Sequence, residues 1–304
     1  MKLKLKITLF FKRLDNFLDK RLEFVSLPGF KGKSIYHVTK FFFNGLFKED
    51  LNLRASSLAF NFFIAIFPLI IFLFTLIPYI PIDHLDTLIS SFIKRLLPID
   101  AYHFIQDTIQ DILLNQNAGL LSFGFIAAVY FASNGFASLL AAFDVNVDSK
   151  MQRNWLDIRL KSILLLITVL SLLIMTIALS LSFNYSFSAL GNRITIDENS
   201  FDIYLKFIEY SLTLFLTYLI YSSVYYIGSN KGAKWRFFSA GSTLATILSI
   251  VSTYGFRLYV ENFNSYNKLY GSVGTLLVLM ILIYVNSFVV LIGFELNRSI
   301  DRAK

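Results

Sequence analysis

The sequence predicts an all-α fold, a polytopic membrane helical bundle with six transmembrane helices and amphipathic helices on its surfaces. Hydrophobic residues make up 56% of the 304 residues and charged residues only 16%, whereas soluble domains carry charge at about 25% of positions. Apolar runs recur along the chain, as in residues 271–297, and about 20 such residues in a helix cross a hydrocarbon core of about 30 Å. The Lys and Arg residues cluster on alternate connectors between these runs.

The apolar runs predict one membrane domain over residues 54–298. Its six spans cover about residues 58–80, 118–143, 160–183, 205–227, 237–260 and 272–294. The preceding residues 1–53 are basic, and apolar residues recur among them near helical spacing, which is typical of an interfacial amphipathic helix. The connector 83–117 carries two further amphipathic patterns, so it either caps the bundle or forms a lid over a cavity. Residues 299–304 form a short tail.

The distribution of positive charge predicts the orientation, because cytoplasmic flanks of membrane spans are enriched in Lys and Arg. The N-terminal segment, the second and fourth connectors with their flanks, and the tail carry all but six of the 28 Lys and Arg. The remaining six are Lys94, Arg95, Arg193, Lys206, Arg257 and Lys268. We therefore expect a multi-pass protein of a bacterial inner (plasma) membrane with both termini in the cytoplasm.

Polar residues inside the spans are the candidates for a substrate path. In the fifth span, six polar residues are spaced by three or four positions, which confines them to a sector of about 80° of the helix. They are Ser239, Ser242, Thr246, Ser249, Thr253 and Arg257. Small hydroxyl residues also allow close helix packing, so the same face could serve only to pack helices. The candidate path residues are Arg54, Ser57, Asn61, Pro68, Asn134, Glu209, Thr213, Thr217, Ser242, Thr246, Ser249, Thr253, Arg257, Asn286 and Glu295.

Five of these residues carry a more specific expectation. Pro68 should bend the first span near mid-membrane, because proline removes a backbone hydrogen bond. Glu209 and Arg257 fall near the outer ends of their helices, where we expect them to approach each other or to share an aqueous pocket. Arg257 could instead pair with Glu261 one turn onward. Glu295 and Arg298 lie at the end of the last span, on the same side of the membrane as Arg54 at the start of the first. We expect these three residues to form either a structural charge cluster or a gate.

Residue usage argues against several kinds of catalysis. The chain has no cysteine, and its three histidines, His37, His84 and His103, are far apart in the sequence. It carries neither the phosphate loop of an ATP-driven motor nor the nucleophile elbow of a serine hydrolase. We therefore predict no catalytic residues, no metal site and no cofactor. Membrane lipids and a lipid-like or small-molecule substrate are the expected partners, nucleic acid is not, and a homo-oligomer is left open.

Three stretches resemble a known family. They are LNLRASSLAFNFFIAIFPLIIF in the first span, LPIDAYHFIQDTIQDILLNQNAGLLSFG leading into the second, and LYGSVGTLLVLMILIYVNSFVVLIGFELNR at the end. Their order and spacing resemble the YihY / virulence factor BrkB family, some members of which were formerly labelled ribonuclease BN. The resemblance implies a six-span bacterial inner-membrane protein for which transport and envelope roles have been proposed.

These observations lead to a ranked expectation for function. The polar faces on lipid-embedded helices favour transport or export of an amphipathic or lipid-like substrate. The alternative is a non-catalytic membrane scaffold for envelope assembly, in which the same faces serve only packing. An enzyme ranks third, and a ribonuclease is the least expected because the chain lacks clustered metal ligands.

Overall fold

The computed structural model describes residues 29–30, 32–48, 50–76, 79, 118–145, 153–190, 198–229, 237–262 and 264–303. Within these residues the protein is all-helical, with seven α-helices and no strand. In chain order the helices are α1 (Ile35–Lys48), α2 (Leu51–Leu76), α3 (Ala118–Phe143), α4 (Trp155–Leu190), α5 (Glu198–Ile227), α6 (Ala240–Asn262) and α7 (Asn264–Arg302).

The helices from α2 to α7 alternate in direction. Helices α2 and α3 are antiparallel, because Phe72 lies against Gly124 and Phe62 lies against Gly135. In the same way Gly241 at the start of α6 faces Asn297 near the end of α7. One end of the bundle therefore collects the starts of α2, α4 and α6 and the ends of α3, α5 and α7. We call it the charged end, because the buried arginines Arg54, Arg153 and Arg298 lie there.

Five helices are long and apolar enough to cross a membrane, within the residues that the structure describes. The qualifying segments are Leu51–Phe72, Ala118–Phe143, Trp155–Thr176, Lys206–Ile227 and Leu277–Arg302. Helix α6 has 23 residues, which is about 34 Å of helix and also long enough to span, but its hydroxyl-rich face makes it less apolar. The membrane-spanning character of the protein is thus supported, and the sixth crossing stays a prediction.

Helix ends differ from the predicted spans mainly by being longer. The second span was predicted at the bounds that α3 has, whereas α2 begins at Leu51 rather than near residue 58. Helix α7 continues to Arg302, through most of the predicted tail. Hydropathy marks the part of a helix that lies in lipid, and a helix extends beyond that part wherever its polar residues still have good helix propensity. Helix α2 is continuous through Pro68, and the predicted bend stays a prediction.

The core lies near the charged end and is centred on aromatic side chains from three helices. The ring of Phe143 at the end of α3 stacks on Phe294 of α7, with ring centroids 3.8 Å apart and planes 9° apart. Phe143 also meets Tyr225 of α5 with centroids 6.2 Å apart, and the Tyr225 hydroxyl donates to the carbonyl of Val290 at 2.9 Å. Close to this centre, Gly228 leaves the space that the Phe143 ring occupies, since a Cβ there would lie 2.8 Å from it.

A second, smaller core holds α1 onto the same end of the bundle. It joins Phe30 and Val38 to Ile300 and Ala303 at the end of α7. The predicted N-terminal helix before residue 29 and the predicted connector helices of residues 83–117 lie outside the described residues.

Candidate functional site

Two arginines at the charged end bind the main-chain carbonyls that end α3 and α5. Arg54 of α2 donates through Nη2 to the carbonyl of Ala142. Arg153, just before α4, donates through Nη1 to the carbonyl of Leu140 at 3.3 Å and through Nη2 to the carbonyl of Gly228. The last carbonyls of a helix have no partner within the helix and carry partial negative charge. The two guanidinium groups therefore connect the ends of neighbouring helices.

Arg153 is also part of a buried ion pair. Its Nη1 lies 3.3 Å from Oδ1 of Asp144, and the two side chains are 0% and 12% exposed. Burial lowers the pKa of Arg153, and the nearby carboxylates of Asp144 and Asp157 oppose that change. The carboxylates and carbonyls around Arg153 are thus what compensates the cost of burying its charge.

A carboxylate from α7 meets the backbone of α1 at this end. Glu295 is 1% exposed, and its Oε2 lies 3.4 Å from Nη1 of Arg298 one turn on. Opposite it, Gly45 allows the close approach of α1, because a Cβ at Gly45 would lie 2.7 Å from the Glu295 carboxyl carbon. Arg54, Glu295 and Arg298, which the sequence placed at one end of two spans, thus lie buried at the same end of the bundle.

The start of α6 is fixed by a side chain of α7. Oδ1 of Asn297 accepts a hydrogen bond from the backbone N–H of Gly241 at 2.8 Å. Nδ2 of Asn297 donates one to the hydroxyl of Ser239 at 2.9 Å. Ser239 and Ser242 exchange hydrogen bonds between hydroxyl and backbone, from Ser242 N to Ser239 Oγ at 3.2 Å and from Ser239 N to Ser242 Oγ at 3.1 Å. This reciprocal pattern is that of a helix cap.

The polar face of α6 changes environment along the helix. Ser242 and Thr246 are buried, and Thr246 donates to the Ser242 carbonyl at 2.8 Å. Ser249 is half-buried and lies near Tyr221 of α5. Thr253 and Arg257, one and two turns further, are exposed. The face is thus packed near the charged end and open beyond it.

Other predicted path residues are more scattered. On α2 Ser57 is exposed, and half-buried Asn61 donates to the Ser57 carbonyl at 2.9 Å. On α5 Thr217 donates to the Thr213 carbonyl at 2.8 Å, and on α7 Asn286 donates to the Leu282 carbonyl at 2.9 Å. Pro68, Thr213, Thr217, Asn286 and Glu209 are half-buried. The expected approach of Glu209 to Arg257 stays a prediction.

Asn134 has a partner that the sequence interpretation did not assign to it. Its Oδ1 accepts from Nη1 of Arg159 at 2.8 Å, and the same guanidinium lies over the Tyr130 ring, 4.9 Å from its centroid. The sequence interpretation counted Arg159 only as a charge that sets orientation. The spacing of Tyr130 and Asn134, four residues apart on one predicted helix, was the available signal for a paired polar face.

Packing is uneven between the two ends of the bundle. In α4 the buried residues Ser162, Leu165 and Leu166 lie within about three turns of its start, and residues 167–176 are half-buried or exposed. In α6 residues 247–259, and in α7 residues 277–286, are likewise half-buried or exposed. Helices α2 and α3 stay in contact over most of their length, from Arg54 and Ala142 to Phe72 and Gly124. The described helices are therefore closed together at the charged end and more open away from it.

The chain is similar to known proteins over most of its length. The family described as virulence factor BrkB matches residues 42–304. A ribonuclease-like protein, YfkH, of Bacillus subtilis is 30% identical over 254 residues, which is 83% of this chain and 90% of that protein. A UPF0761 membrane protein of Psychromonas ingrahamii is 26% identical over 89% of this chain and 90% of its own length, and one of Tolumonas auensis is 25% identical over 86% and 84%. No solved structure matches the chain significantly.

Proposed function

This chain belongs to the virulence factor BrkB family of membrane proteins, and we propose that it transports or exports an amphipathic or lipid-like substrate across the bacterial inner membrane. The observation that carries the proposal is the change of environment along α6. Its hydroxyl face is packed at Ser242 and Thr246 and becomes exposed at Thr253 and Arg257. A polar face that opens partway through a bundle suits the lining of a path that is closed at one end.

The charged end supplies the closure in this proposal. Arg54 and Arg153 hold the ends of α3 and α5, and Glu295 lies against Gly45 of α1. Each contact joins a side chain in or next to one helix to the backbone in or next to another. The helices can therefore move apart as rigid elements when these contacts break, as the opening of a gate requires. The charge distribution supports placing this end, with both termini, in the cytoplasm, so that the path is open toward the periplasm.

A membrane scaffold is the second candidate, and one observation favours it. The hydroxyls of Ser242 and Thr246 are satisfied by carbonyls of their own helix, which is what small residues do when they serve only close helix packing. A nuclease function would need clustered ligands for an activating metal ion. The name of the B. subtilis relative belongs to that protein, and we propose no catalytic role for this chain.

Lipid movement in reconstituted liposomes tests the proposal. The probes are fluorescently labelled phosphatidylglycerol, phosphatidylethanolamine and fatty acid, with dithionite added outside to bleach the outer leaflet. We expect the protein to make the inner-leaflet pool of at least one probe accessible. Thr253→Trp should slow this movement by filling the polar face, whereas Val251→Trp, on the other side of the same exposed turn of α6, should leave it unchanged.

Absence of movement for every probe with folded protein would contradict transport and favour the scaffold. Equal slowing by the two tryptophan variants would contradict the assignment of the path to the polar face of α6.

A further inference from the structure

Arg159 is a positive charge inside a segment apolar enough to span the membrane. It lies in the second turn of α4, within the segment Trp155–Thr176, about 6 Å along the helix from Trp155. A charged side chain in a spanning helix is costly, so it is found next to a compensating group.

The protein gives this guanidinium only neutral partners among the described residues. Its partners are the amide oxygen of Asn134 at 2.8 Å and the face of the Tyr130 ring. By contrast, Lys161, two residues on, has a carboxylate partner, with its Nζ 3.7 Å from Oδ2 of Asp157. The same helix therefore pairs one basic residue with an acid and leaves the other to amide and aromatic groups.

The position of the guanidinium does not match an arginine that reaches out to water. Side chains on a helix lean toward its start, which for α4 is the charged end. Asn134 and Tyr130 lie nine and thirteen residues before the end of α3 at Phe143, which is about 13 Å and 20 Å inward from that end. The guanidinium is therefore held inward on α3 rather than extended to the aqueous side.

The site is open on one side and rich in donors. Tyr130 and Trp155 are 52% and 76% exposed, and Arg159 itself is half-buried. Arginine has five N–H donors and no acceptor, so Asn134 must turn its oxygen toward Arg159 and direct its amide N–H groups elsewhere. Those N–H groups meet no acceptor in the part of the chain that the structure describes. Two neighbouring donor groups without an acid between them suit an anion.

We propose that Arg159, Asn134 and Tyr130 form a binding site for the phosphate headgroup of an anionic phospholipid. A guanidinium binds phosphate oxygens with two parallel N–H bonds, and the neighbouring amide adds a third donor. The open flank between α3 and α4 lets a bilayer lipid enter sideways, with Trp155 at the interface where tryptophan is favoured. The inference rests on the proposed function, because it names the class of lipid that the protein would handle.

Tryptophan quenching by brominated lipids tests the site directly. The chain has two tryptophans, Trp155 and Trp235, so Trp235→Phe leaves one reporter a single helical turn from Arg159. In mixed micelles we expect brominated phosphatidylglycerol to quench Trp155 at an about fivefold lower concentration than brominated phosphatidylcholine does. Arg159→Gln should remove this preference, and Lys161→Gln, which removes the same charge two residues away, should keep it.

Several results would overturn the site. They are a preference retained in Arg159→Gln, an equal loss in Lys161→Gln, and release of the lipid by inorganic phosphate, which would assign the site to a soluble anion. If Arg159→Gln does not fold, Asn134→Leu decides, because an unchanged preference in that variant contradicts the site. Quenching is measured at equilibrium, so binding without lipid movement in liposomes would contradict transport alone, and movement without preferential binding would contradict the site alone.

Discussion

At the scale of residues, the buried charges of this protein bind main-chain groups as much as they bind each other. Arg54 and Arg153 reach carbonyls at the ends of α3 and α5, and Arg153 also pairs with the carboxylate of Asp144. Helix ends carry carbonyls that lipid cannot satisfy, and each unsatisfied group there costs several kcal/mol. Arginine, with five donors, can satisfy several such groups at once.

Arg153→Gln is expected to destabilise the protein by about 3 kcal/mol, because it removes one partner of a buried pair and leaves the carbonyls of Leu140 and Gly228 without their donor. The matched control is Lys161→Gln, which breaks a pair whose side chains are 26% and 28% exposed and should cost less than about 0.5 kcal/mol. Unfolding in mixed detergent measures both. Similar losses in the two variants would contradict the structural role of Arg153.

The sequence could identify some of these residues and not others. It indicated that Arg54, Glu295 and Arg298 meet at one end, because all three lie at the ends of apolar runs. It could not indicate that Arg153 binds Leu140 and Gly228, since a carbonyl acceptor has no side-chain signature. Pairs such as Arg159 and Asn134 depend on the register between two helices, which the periodicity of each helix alone does not define.

At the scale of elements, the contact between α6 and α7 is close enough to involve backbone. A Cβ at Gly293 would lie 2.7 Å from the carbonyl oxygen of Gly241 and 2.9 Å from Cβ of Ala245. The Tyr225 hydroxyl approaches the same position. Small residues at such a crossing allow backbones to approach, which is a main source of helix association in membranes.

Gly293→Ala should therefore destabilise the protein by about 1 to 3 kcal/mol, because backbone atoms cannot move aside as the end of a side chain can. Gly255→Ala on α6 is the control, since nothing lies within 4 Å of a Cβ there. That change should be neutral or stabilise the protein by up to about 1 kcal/mol through better helix propensity. Denaturant titration compares the two, and a Gly293→Ala variant as stable as the parent would contradict the close crossing.

At the scale of the whole molecule, composition and hydropathy predicted the class of fold and the positions of the membrane helices. The second span was predicted at the bounds of α3, and all seven described helices fit an all-α membrane protein. The polar face of α6 shows why the helix could be predicted more easily than its crossing of the membrane. The regular spacing of its hydroxyl residues predicts a helix, but the same residues lower the mean hydropathy by which a membrane span is recognised. Hydropathy alone therefore does not decide whether α6 is the sixth crossing.

We propose that the polar face of α6 lines a path that is closed at the charged end, and cysteine labelling shows whether that face reaches water. The chain has no cysteine, so single substitutions in α6 can be compared without background. A maleimide that does not cross membranes reacts only with a thiol that reaches water. Added opposite the charged end, it should label Thr253→Cys, but neither Ser242→Cys at the closed end nor Val251→Cys on the apolar side. Labelling of Val251→Cys but not Thr253→Cys, or of Ser242→Cys as fast as Thr253→Cys, would contradict a path along the polar face of α6 that is closed at the charged end.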